Sequence, residues 1–151
     1  MEALTPYRAS YLMPPLARAV VTDAMHFGVI AVPPDCDAET VARTMATRRV
    51  HAVVVEGITS GGGGERLVWG LITDLDLARA IAGAGDVPPT AGELATTEIV
   101  TVGAGDGLEH AARLMAEHGV SHLIVTTAAS GRPVGVVSAL DIAAAFAWGE
   151  R

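Results

Sequence analysis

Thr73 and Asp76 stand three residues apart, and Ser138 and Asp141 repeat the spacing. An apolar run leads into each pair, Gly70-Leu71-Ile72 in one case and Gly135-Val136-Val137 in the other. An apolar-periodic stretch follows each. The pattern puts a hydroxyl and a carboxylate where a strand turns into a helix. A helix N-terminus offers unpaired N–H groups and a partial positive charge, which suits phosphate. A carboxylate can accept two charge-assisted hydrogen bonds, which suits a vicinal diol. Flanking apolar strands supply a flat slot for a base. The same Thr/Ser-x-x-Asp spacing is also a capping box, in which both side chains serve the helix's own N–H groups without any ligand. The two readings stand side by side, with the short reach of Asp favouring the ligand.

The corners recur because the chain repeats itself. Val29-Ile30-Ala31-Val32 aligns with Ile99-Val100-Thr101-Val102 at an offset of seventy positions. The same offset carries Ala38, Val41, Ala42 and Met45 onto Leu108, Ala111, Ala112 and Met115, and Val53-Val54-Val55 onto Leu123-Ile124-Val125. The Gly70–Asp76 stretch falls on Gly135–Asp141 at an offset five shorter. The difference lies in the loop holding Gly61-Gly62-Gly63-Gly64, longer than its counterpart around Ala129-Ser130-Gly131. A length change confined to a turn marks a duplicated structural unit. That glycine loop is expected to be mobile.

The elements follow from periodicity. Val29–Val32 reads as a strand stopped by Pro33-Pro34. Asp35 or Asp37 can cap a helix carrying Val41 and Met45. Ala52–Val55 and Leu67–Ile72 are strands joined by a flexible turn over Glu56–Arg66. A helix runs over Asp74–Ala84, with Leu75, Ala78 and Ile81 on one side. In the second copy, Ile99–Val102 is a strand and Leu108–His118 a helix ended by Gly119. Leu123–Thr126 and Val134–Val137 form a hairpin, and a last helix runs from Ala139 to Trp148. Each copy is therefore β-α-β-β-α, with a parallel first strand pair and an antiparallel second. Residues 1–19 form an extension in which Pro15 can start a short helix through Leu16, Ala17 and Val20. The first unit is 20–85 and the second 86–151, with a linker over 85–92.

The chain has 151 residues, half of them apolar, and a formal net charge of −7. Two units of this size need to pack together to bury enough core. All ten cations are Arg, and no basic face suggests nucleic acid. Arg48-Arg49 reads as a helix C-terminus, with a phosphate contact as the alternative. Cys36 is alone, so no intrachain disulfide forms. A helix N-terminus would activate its thiol, but Asp35 and Asp37 oppose ionisation. No stretch reaches the roughly 20 apolar residues of a membrane span, and no signal peptide is visible. A soluble, cytoplasmic protein is expected. His110, His118 and His122 lack companions at metal-site spacing and read as surface or cleft-edge residues. Trp69 and Trp148 are candidates for an intermolecular contact.

These residues resemble the cystathionine-β-synthase (CBS) domain family in its tandem form, the Bateman module. Val21-Thr22-Asp23-Ala24-Met25 is similar to the family's opening motif. Both copies carry its Gly-h-h-[Thr/Ser]-x-x-Asp signature, where h is apolar. The resemblance covers residues from about 20 to 148. It implies an α/β (α+β) fold of two β-α-β-β-α units related by a pseudo-two-fold axis, without attached enzyme, channel or transporter. It implies a regulatory module that binds AMP, ADP, ATP or S-adenosylmethionine between its units and signals to a protein partner. Asp76 and Asp141 would take ribose hydroxyls, and Thr73 and Ser138 would donate to phosphate. Main chain near Ile30-Ala31 and Val100-Thr101 would read the base edge. His51 and Ser121-His122 would lie near the base or phosphate. Thr101, Ser121 and His122 make the Ser138–Asp141 corner the richer one. No covalently bound cofactor, metal, nucleic acid or membrane is implied, and paired modules of this kind commonly form homodimers. No coherent nucleophile–base pair accompanies the motifs, so no enzyme activity is expected. A structural dimerisation protein with vestigial sites is the alternative function.

Overall fold

The computed structural model describes residues 14–60, 66–83, 85–129 and 131–149. Pro6 and the Gly61–Gly64 loop lie outside them. The chain forms two compact units, one over Val29–Ile99, the other over Val100–Arg151 together with the chain up to Gly28.

In the unit Val29–Ile99, β2 (Ala31–Val32) leads to α2 (Ala38–Arg48), β3 (Ala52–Ser60), β4 (Arg66–Thr73), α3 (Asp74–Ala82) and α4 (Ala91–Leu94). The sheet order is β2-β3-β4, with β2 parallel to β3 and β3 antiparallel to β4. In the other unit, α1 (Val21–Ala24) and β1 (His26–Phe27) join β5 (Thr101–Gly103), α5 (Leu108–His118), β6 (His122–Thr126), β7 (Pro133–Ser138) and α6 (Ala139–Trp148). The order there is β1-β7-β6-β5. Each copy is thus β-α-β-β-α with the expected strand directions, and α5 and α6 have the expected bounds.

Period-two alternation divides each sheet. Val53 and Val55 of β3 and Ile72 of β4 pack against Val41, Met45, Leu77 and Ala91 of the helices. Leu123, Val125 and Val137 do the same with Leu108, Ala111, Met115 and Ala145. Each fully buried Val or Leu contributes about 1.5–3 kcal/mol of apolar transfer. Residues between them, such as Val54 and Ile124, face the helix-free side.

Several boundaries differ from expectation. The strands expected from Val29 and Ile99 begin at Ala31 and Thr101, where the ladder to β3 and β6 starts. The expected turn over Glu56–Arg66 is much shorter, because β3 continues to Ser60 and β4 starts at Arg66. A bulge between Val55 and Ile58 lets the strand continue, and Gly57 there has φ +80°, a value that favours glycine. Pro15 starts a turn rather than a helix: Arg18 and Ala19 N–H both donate to its carbonyl. On α3 the buried residue is Leu77, while Leu75 and Ile81 are exposed.

The lead segments trade places. In sequence, Val21–Met25 opens the first copy; in space it belongs to the unit built on the second. β1 pairs with β7, His26 opposite Val136, and Val20 bridges Gly107. Seventy residues on, Thr96 bridges Leu71 and Thr90 bridges Asp37, within the first copy's unit. α4 correspondingly packs Ala91 into that unit's core.

Candidate functional site

Backbone pairing assembles one row of residues across each sheet. In the first copy the row is Ala31, Val54, Leu71 and Thr96. In the second it is Thr101, Ile124, Val136 and His26. Directly paired residues share a face, here the helix-free one. Two residues further along β4 and β7 come Thr73 and Ser138, paired with Ala52 and His122. Ile30 and Val100 sit at the row's edge, where their carbonyls accept from Val54 N–H at 2.9 Å and Ile124 N–H at 3.2 Å.

Both corners are complete capping boxes. Thr73 N–H donates to Asp76 Oδ2 at 2.8 Å, its hydroxyl to the same oxygen at 3.0 Å, and Asp76 N–H donates back to Thr73 Oγ1 at 3.3 Å. Ser138 N–H donates to Asp141 Oδ2 at 2.8 Å, and Asp141 N–H to Ser138 Oγ at 3.2 Å. Capping therefore occupies one oxygen of each carboxylate and leaves the other for different work.

The second oxygen distinguishes the corners. Asp141 Oδ1 lies 3.1 Å from His26 Nε2. An ionised carboxylate only accepts, so that nitrogen carries the proton. Asp141 is 6% exposed. Asp76 is half-buried, and among the described residues no hydrogen bond reaches its Oδ1. The first copy has Thr96 where the second has His26, and a threonine side chain is much shorter.

His51 stands apart from the row. Its Nδ1 lies 2.9 Å from Asp74 Oδ2, and its ring lines a groove of about 410 Å³ between α2 and α3 with Met45, Arg49, Val50, Leu77 and Ile81. Arg48 and Arg49 are exposed at the α2 C-terminus. Ser121 Oγ lies 3.0 Å from His122 Nδ1. His118 Nδ1–H donates to Leu114 O on its own helix. Among the described residues no group of His, Cys, Asp and Glu is placed to hold a metal, and no helix is long and apolar enough to cross a membrane. Cys36 is half-buried and its thiol faces Asp37 O at 3.7 Å.

His26 and Thr96 are the site residues that inspection of the motifs does not find. Extending the seventy-residue offset upstream would have aligned Val20–His26 with Thr90–Thr96 and exposed them.

Comparison places this architecture. The CBS domain model matches residues 21–83 and again 91–147. The chain belongs to the CBS domain family, as a tandem pair. Among solved structures it is similar to the CBS domain protein PAE2072 from Pyrobaculum aerophilum complexed with AMP, at 25% identity and TM-score 0.67, covering 85% of this chain and 98% of that one. It is also similar to the CBS domain pair of protein MJ0100 in complex with 5-methylthioadenosine and S-adenosyl-L-methionine, at 23% identity and TM-score 0.70, covering 85% and 96%. The CBS-domain containing protein ATU1752 from Agrobacterium tumefaciens matches at 24% identity and TM-score 0.68, covering 83% and 92%. No curated protein matches the chain.

Proposed function

We propose that this chain is a non-catalytic regulatory module that binds an adenosine-containing ligand at its strand-to-helix corners and signals to a protein partner in the cytoplasm. The observation that carries the reading is Asp76: a carboxylate with one oxygen held by the capping box and the other without a partner, beside a helix N-terminus and an apolar row. A ribose hydroxyl would take that oxygen, and the base would lie along the row, near Ile30-Ala31. The relatives crystallised with AMP or with S-adenosyl-L-methionine and 5-methylthioadenosine support the ligand class. The second corner would offer Ser138, Asp141, Val100-Thr101, Ser121 and His122 to the same class.

The active form is a homodimer. α3 exposes Leu75 and Ile81, and α6 exposes Leu140 and Phe146 at the equivalent positions, with Trp148 beyond. Exposed apolar stripes repeated on both closing helices suit a second copy of the same surface.

Melting the protein with AMP, ADP, ATP and S-adenosylmethionine tests the binding. A ligand at 100 times its Kd stabilises the fold by about 2.7 kcal/mol. Asp76→Asn removes the charge but keeps Thr73 as cap, so it weakens binding by about 1.5–3 kcal/mol per charged hydrogen bond lost and changes the intrinsic melting point little. If no adenosine ligand shifts the melting point, the corners are caps alone and the dimerisation reading replaces this one.

A further inference from the structure

We infer that His26 is a built-in competitor for the Asp141 corner, so that the two corners of this chain bind unequally. This rests on the adenosine reading above and reverses the order that polar residues alone suggest.

Three observations carry it. His26 is fixed by strand pairing, not by chance of a flexible loop: it pairs with Val136, and Gly28 N–H donates to Val134 O at 2.8 Å on the other side. Its Nε2 lies 3.1 Å from Asp141 Oδ1, the one carboxylate oxygen the capping box leaves over. The duplicated corner lacks this contact, because Thr96 stands at the corresponding place. A ligand hydroxyl at Asp141 therefore competes for Oδ1 with an imidazole already there, whereas Asp76 Oδ1 has no hydrogen-bond partner among the described residues. The His26 side chain is 67% exposed, so it can swing out by side-chain rotation while β1 stays paired. The second corner then works as a guarded site that fills after the first.

Calorimetric titration of AMP into the full chain tests the inference. In Asp76→Asn, only the guarded corner is left intact. Adding His26→Thr to that background should tighten AMP binding about tenfold, equivalent to about 1.4 kcal/mol. The reciprocal change installs the guard in the first copy: Thr96→His in an Asp141→Asn background should weaken AMP about tenfold. This second arm needs no change in β1, so it stands even if His26→Thr disturbs folding. Unchanged affinity in both arms overturns the competitor while leaving the adenosine reading intact. Weaker binding on His26→Thr, with the fold intact by its melting point, also overturns it and makes His26 a ligand contact. AMP binding to none of these proteins, wild type included, removes the competitor together with the AMP reading.

Discussion

Cys36 shows how a single position resolves competing influences. Burial pushes its thiol above the ordinary range, and the charges of Asp37 and Asp35 push it the same way. A higher pKa leaves less thiolate near neutral pH. Iodoacetamide should therefore alkylate Cys36 more slowly than free cysteine at pH 7.5, as followed by intact-mass spectrometry. Its neighbour Asp37 moves oppositely: hydrogen bonds from the Thr40 side chain and backbone hold the carboxyl below its usual value. A carboxylate depressed in the folded state stabilises above its unfolded pKa of about 3.9, and loses that contribution as pH falls through the folded value. The stability difference between wild type and Asp37→Ala should be present at pH 6 and shrink towards pH 3 in urea melts. The motif residues Thr73, Asp76, Ser138 and Asp141 were readable because hydroxyl, carboxylate and helix start lie within four positions. His26 was not, because its partner is 115 residues away and their meeting depends on β1 pairing with β7.

Among the elements, α2 and α5 end alike but with different residues. Gly119 closes α5 with φ +64°, and Arg49 closes α2 with φ 53°. A non-glycine residue in this region carries strain of order 1–3 kcal/mol, partly offset by the freedom a glycine gains on unfolding. Arg49→Gly should therefore stabilise the protein by about 0.5–1 kcal/mol in a denaturant melt. Gly135 shows the reverse constraint. A Cβ there would collide with both His26 O and Met25 Cε. Gly135→Ala should cost about 1–3 kcal/mol and push β1 off β7. Periodicity located α5 well because its apolar stripe is regular, whereas α6 is apolar nearly all round and was marked by the Ser138 cap before it. On α3 it grouped Leu75, Ala78 and Ile81 on one side without telling that this side is exposed and that Leu77 is the buried residue. It overlooked α1 and α4, since four-residue helices hold too little pattern to register.

For the whole molecule, light scattering at micromolar concentration should give twice the chain mass. Phe146→Glu together with Leu140→Glu should return it to one chain mass without lowering the melting point steeply, since both side chains are exposed. The repeat made the two-unit architecture readable, but not which stretches fill each unit. One unit is the continuous segment Val29–Ile99; the other is built from the stretches on either side of it. During synthesis the segment leading to Gly28 leaves the ribosome well before its partners on β7, which come more than a hundred residues later. The continuous unit can close while translation proceeds, whereas β1 waits for β7 to be made. Pairing of such distant segments is slow, because loop closure precedes any contact that rewards it. Final docking of β1 should therefore trail the rest of folding, and the guard at Asp141 would be the last feature of the site to form.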